Sequence, residues 1–189
     1  MKETTSIYQD MAQRTGGSVY IGVVGPVRTG KSTFVKRFTE TLVLPHIDNA
    51  YRRDRAQDEL PQSGSGRTIM TAEPKFVPEE AVQIRLEEGA AFSVRLVDCV
   101  GYMVDSAMGQ FEDLAPRMVM TPWFDHEIPM TEAAEIGTRK VITYHATVGV
   151  VVTTDGTVTD IPREDYREAE ERVIRELQEI GKPFLVLMN

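Results

Sequence analysis

A chain of 189 residues, 41% apolar and 26% charged, carries enough apolar material for one cored domain and excludes wholesale disorder. Its formal net charge of -8 excludes a nucleic-acid binder that works through a broad basic face. The absence of a run of about 18 apolar residues argues against a transmembrane segment, the polar start Met1-Lys2-Glu3-Thr4-Thr5 against a secretory signal, and the single cysteine, Cys99, against an internal disulfide.

Residues 1–17 read as an N-terminal arm or short helix with Tyr8 and Met11 as anchors, and 18–189 as one nucleotide-binding domain. Val19 to Val24 is an apolar, β-rich run, and Gly25-Pro26-Val27-Arg28-Thr29-Gly30-Lys31-Ser32 after it matches the phosphate-loop pattern G-x-x-x-x-G-K-[ST]. A helical stretch from Ser32 to Leu44 follows. That order suits the chemistry: a buried strand holds the loop, backbone amides surround the β-phosphate, and the helix points its positive end at the same anion. Lys31 then reaches the β- and γ-phosphates, and the Ser32 hydroxyl binds Mg²⁺. A plain Gly-rich turn before a helix does not account for a Lys-Ser pair at this spacing.

A polar segment spans His46 to Gly66, and Ser63-Gly64-Ser65-Gly66 marks a loop. Val82, Ile84 and Leu86 alternate on one run; Phe92, Val94 and Leu96 alternate on the next; Glu88-Gly89 between them predicts a β-hairpin. Residues 102–130, rich in Met, Pro and Gly and without period, predict a long functional loop with short helical pieces. Thr131 is the expected N-cap of a helix to about Ile142. Val148–Thr153 predicts a buried strand. Asp160 and Pro162 open a helix with the apolar stripe Tyr166, Ala169, Val173, Leu177 and Ile180, ended by Gly181. Its charged residues read as a solvated face with i,i+4 pairs. Phe184–Met188 predicts a second buried strand, and a sequence stopping at Asn189, on a strand, suggests a fragment of a longer protein. The expected fold is α/β: a P-loop NTPase with a mainly parallel sheet, one antiparallel hairpin, and helices on both faces.

The second run leads into Asp98-Cys99-Val100-Gly101, a D-x-x-G in which Asp98 associates with Mg²⁺ and the Gly101 amide meets the γ-phosphate. Cys99 itself reads as a small buried hydrophobe. Between the two motifs, Thr71 and Thr68 are the candidates for the loop threonine that binds Mg²⁺ and senses the γ-phosphate, with Thr71 preferred. Small GTPases carry a water-orienting Gln directly after D-x-x-G; Tyr102 stands there in this chain. Arg28 is the candidate substitute, as a guanidinium inside the loop stabilises charge on the γ-phosphoryl oxygens; the alternative is an arginine facing solvent. This loop resembles that of guanylate-binding proteins, in which the equivalent arginine acts as a finger in cis. The catalytic set is therefore Arg28, Lys31, Thr71 and Asp98; the nucleotide set Gly25, Arg28, Thr29, Gly30, Lys31, Ser32, Thr33 and Gly101; and the metal set Ser32, Thr71 and Asp98. Asn189 is the first possible residue of a guanine-reading N-K-x-D, so the motifs leave ATP and GTP both open.

Taken together, these motifs and several long runs resemble the N-terminal domain of the stage IV sporulation protein A family of spore coat morphogenetic ATPases. Arg55-Ala56-Gln57-Asp58-Glu59-Leu60-Pro61-Gln62-Ser63, Glu73-Pro74-Lys75-Phe76-Val77-Pro78 and Arg95-Leu96-Val97-Asp98-Cys99-Val100-Gly101-Tyr102 carry the likeness, with Glu132 to Lys140 and Thr153 to Thr157. The resemblance implies a fold related to translation-factor-type (TRAFAC) GTPases that has switched to ATP with Mg²⁺. It also implies hydrolysis-driven self-assembly of the coat basement layer, in the cytoplasm on the mother-cell side of the forespore surface. The partners it implies are other copies of the chain and, through a C-terminal region beyond it, further coat morphogenetic proteins. The family pattern is Thr-Thr-Glu-Pro, whereas here Thr71 precedes Ala72. Ala72 is either natural variation or a change introduced to slow hydrolysis, and we take the second reading. A GTP-binding switch that recruits partners is the alternative function; a structural module with a vestigial loop is opposed by the intact Lys31, Ser32 and Asp98.

Overall fold

Successive residues of a strand point to opposite faces, so an apolar strand between two helical layers shows two apolar sets, one per layer. The computed structural model, described for residues 17–61, 73–85 and 91–189, shows this in its central strand β1, Ser18–Val24. Val23 packs into the core on one face and Val24 into the core on the other. Helix α1 (Lys31–Phe38) follows the phosphate loop, continues through a wider turn at Thr39–Val43 and a tight turn at Leu44–His46, and leads to α2 (Ala50–Asp58). Asn49 caps α2, its side-chain oxygen accepting from the Arg52 amide at 2.9 Å.

Strand β2 (Lys75–Arg85) pairs antiparallel with β3 (Ala91–Asp98), with a register shift between Val77 and Val82. Two short hairpins come next, β4 (Phe111–Glu112) with β5 (Ala115–Pro116) and β6 (Met118–Val119) with β7 (Ile128–Pro129). Helix α3 (Met130–Lys140), a wide turn at Val141–His145, β8 (Val148–Thr153), α4 (Arg167–Glu179) and β9 (Phe184–Met188) complete the described chain. The main sheet has the order β2-β3-β1-β8-β9, all parallel except β2. The α1–α2 segment covers one face, where Val35, Val43, Leu44 and Ala56 meet Val23, Leu96 and Val152. The segment after α3 and helix α4 cover the other, where Val141, Ile142, Tyr166, Val173 and Leu177 meet Val24, Val97 and Val151. The chains leaving β1 and β3 thus go to opposite faces and open a crevice at the carboxyl ends of the strands.

The expected hairpin, the Val148–Thr153 strand and most of the α4 stripe are present, and four expectations change. The 102–130 segment contains two short hairpins and, among its described residues, no helix before Met130. Helix α3 starts at Met130 after Pro129, so Thr131 lies inside its first turn and does not cap it. Ile180 is 47% exposed, because α4 ends before it and Gly181 turns the chain away. Leu185, Val186 and Met188 are exposed, since among the described residues β9 is the edge of the sheet. A further helix, α2, lies inside the expected polar segment. Residues 1–16 of the expected arm and the loop at 63–66 lie outside the described residues.

Leu96 is fully buried in the middle of the sheet. Leu96→Ala is expected to cost about 2–5 kcal/mol in urea unfolding, against less than about 0.5 kcal/mol for Ile180→Ala.

Candidate nucleotide-binding site

Gly30 is the N-cap of α1, in a left-handed conformation at φ +95°, and no side chain caps the helix. No acidic residue occupies the first turn either, so its free amides face the loop without a competing carboxylate. The loop is braced from inside: the Thr29 hydroxyl donates to the Pro26 carbonyl at 3.1 Å, and the Lys31 ammonium donates to the same oxygen. Lys31 is 4% exposed; burial lowers its pKa from the usual lysine value, and the neighbouring Asp98 carboxylate opposes that shift.

Asp98 is the last residue of β3 and pairs in register with Val23, two residues before Gly25. Asp98 is 9% exposed, and burial raises its pKa; the neighbouring Ser32 hydroxyl and the Lys31 ammonium pull the other way. Its Oδ1 is buried and has no hydrogen-bond partner among the described residues. Gly101, at φ +92°, lies so close to the loop that an added Cβ would sit 2.2 Å from the Gly25 carbonyl oxygen and 2.6 Å from Lys31 Nζ. Only a glycine fits between the two motifs.

Gly25, Arg28, Thr29, Gly30, Lys31, Ser32, Asp98 and Gly101 therefore converge at the carboxyl ends of β1 and β3, while Thr33 is exposed on α1. Arg28 adopts φ +61°, a conformation that costs a non-glycine residue roughly 1–3 kcal/mol, and its buried Nε has no partner among the described residues. Thr68, Thr71 and Ala72 lie outside the described residues. Cys99 is buried as expected; its thiol donates to the Val23 carbonyl at 3.4 Å and burial pushes it up to about 11. The three histidines form no metal group with it among the described residues.

Two contacts were missed in the sequence. The Asn189 side-chain amide donates to the Thr29 carbonyl at 3.1 Å, because β9 runs parallel to β8 and delivers residue 189 to the loop; an apolar strand ending in Asn was the available signal. Tyr102 pairs its main chain with the loop, its amide donating to the Gly25 carbonyl at 3.2 Å and its carbonyl accepting from Val27 at 2.8 Å. Its side chain turns away from the crevice into the core beside α4.

The family model described as stage IV sporulation protein A, ATPase domain, matches residues 1–189. Stage IV sporulation protein A of Bacillus anthracis is 61% identical over 187 residues, and that of Bacillus subtilis (strain 168) 60% over the same length. Each alignment covers 99% of this chain and 38% of the relative. That of Clostridioides difficile (strain 630) is 56% identical over 97% of this chain and 38% of its own. The chain thus spans little more than a third of the curated relatives it matches.

Gly101→Ala forces the two motifs apart, and a thermal or urea melt is expected to show a loss of about 2–5 kcal/mol, combining overpacking with strain at positive φ.

Proposed function

This chain belongs to the stage IV sporulation protein A family, and from that premise we propose that it binds Mg·ATP in the crevice and hydrolyses it to ADP and phosphate. Hydrolysis would power self-assembly of the coat basement layer on the mother-cell side of the forespore surface. Further coat proteins would be recruited through a region of the full-length protein beyond residue 189. The observation that carries the nucleotide reading is Asp98: a buried carboxylate beside Ser32, with one oxygen lacking a hydrogen-bond partner among the described residues, next to a buried lysine on a phosphate loop. An orphaned buried oxygen is costly unless a cation or water takes it. The Ser32 hydroxyl and Asp98 carboxylate are hard oxygen donors that suit Mg²⁺, with the Thr71 hydroxyl as the third candidate. Mg²⁺, when bound, neutralises charge on the β- and γ-phosphate oxygens.

Lys31 and the uncapped amides of α1 bind the phosphates, and the Gly101 amide meets the γ-phosphate. Lys31 leaves the Pro26 carbonyl to do so, and a triphosphate restores to it the anionic partner that burial withholds. Arg28 supplies the finger in cis; its strained backbone and unpartnered Nε suit a guanidinium kept for a ligand. One observation favours the GTP-switch reading instead: Asn189, the first possible residue of a guanine-reading motif, is held on the phosphate loop.

Phosphate release with Mg·ATP and Mg·GTP side by side tests these readings. The expected result is release from ATP alone, reduced to background by Lys31→Ala and raised by Ala72→Thr. Arg28→Ala is expected to lower kcat by about 10³-fold with a small change in KM, the low end of the range for an arginine finger. Release from GTP in preference to ATP would put the switch reading first.

A further inference from the structure

Tyr102 stands directly after the Gly101 amide, and its main chain brackets the first turn of the phosphate loop through Gly25 and Val27. Its ring is 1% exposed, and its hydroxyl donates to Glu176 Oε2 on α4 at 2.5 Å. The Arg172 guanidinium lies 4.1 Å over the same ring and donates from Nε to the other Glu176 oxygen at 3.2 Å. Its two terminal nitrogens hold both Glu135 oxygens on α3, at 2.9 and 3.1 Å. The Arg172 and Glu135 side chains are 39% and 48% exposed, so the line of contacts runs from the crevice to the outer surface of the domain. In such a network each bond orients the next.

A residue anchored at both main-chain groups and at its hydroxyl cannot swing into the crevice to orient water. Any displacement of the Gly101–Tyr102 peptide must instead drag Glu176 or break its bond. We propose that Tyr102 is a positioning residue: it holds the Gly101 amide against the phosphate loop and transmits occupancy of the crevice, through Glu176 and Arg172, to the Arg172–Glu135 pair on α3 and α4. This inference rests on the nucleotide-binding reading above and adds the route by which the bound state becomes visible outside the crevice.

Amide hydrogen exchange of the whole chain, with and without Mg²⁺ and a non-hydrolysable ATP analogue, tests it beside phosphate release. In the unaltered chain the analogue is expected to slow exchange over residues 25–33 and also over 167–179. Tyr102→Phe keeps the ring and removes the hydroxyl. It is expected to retain the slowing at 25–33 and lose it at 167–179, with kcat lowered about 5-fold and KM within about 2-fold, as for a contact that acts after binding. Glu176→Ala cuts the same link from the helix side without touching the buried ring, so a folding failure in Tyr102→Phe does not decide the result. Slowing at 167–179 that persists in either variant at unchanged kcat overturns the proposal, as does slowing confined to 25–33 in the unaltered chain. Exchange that is unchanged at 25–33 overturns the nucleotide-binding reading itself, and the relay with it.

Discussion

Parallel pairing of β1 with β3, in the register Val23 to Asp98, is the constraint on which the site depends. Parallel neighbours end on the same side of the sheet, so two segments more than sixty residues apart in the chain present their carboxyl ends together. Once Asp98 is level with Val23, Lys31 and Ser32 have only the turn of the phosphate loop to cross. The Tyr102 main chain then ties the loop after β3 to the loop after β1. A slip of one residue would turn Asp98 toward the other layer and exchange the two apolar sets of β3.

The same pairing places two ionisable groups where neither is comfortable alone. Burial works against the charge on Lys31 and on Asp98, and each partly relieves the other. Arg28 at positive φ and the orphaned oxygen of Asp98 add to this concentration of unfavourable terms. The core around it is a regular two-layer packing of Val, Leu and Ile, able to hold such a cluster in place. Strain kept in a cleft and compensated by a well-packed scaffold is the ordinary arrangement of a ligand site.

Much of this was legible before the structure. The phosphate loop and D-x-x-G are chemical patterns whose spacing follows from the ligand, so each could be placed on a strand end from local order alone. Alternation at Val82 and Ile84 against Val94 and Leu96 revealed the hairpin, because pleating makes a period of two unavoidable. The α4 stripe was correct at Tyr166, Ala169, Val173 and Leu177 and failed at Ile180, where helical period continues in the sequence but the helix does not. Residues 102–130 were misread since two-residue strands are too short to show any period. The charged face of α4 reads as solvated in the sequence, yet Glu170 is buried against Thr153 and Arg163, and Glu176 is half-buried against Tyr102.

By itself, the sequence determined the α/β class and the strand–loop–helix order around the phosphate-loop motif, both of which arise from neighbours in the chain. Only the tertiary structure decided that Asp98 reaches Ser32, that Asn189 rests on Thr29, and that Tyr102 faces α4 and not the crevice. Those contacts join residues 66, 160 and 74 positions apart in the chain. Strand order and helix placement set them, and a local pattern of hydrophobicity or turn residues carries no record of which distant partner a side chain will meet.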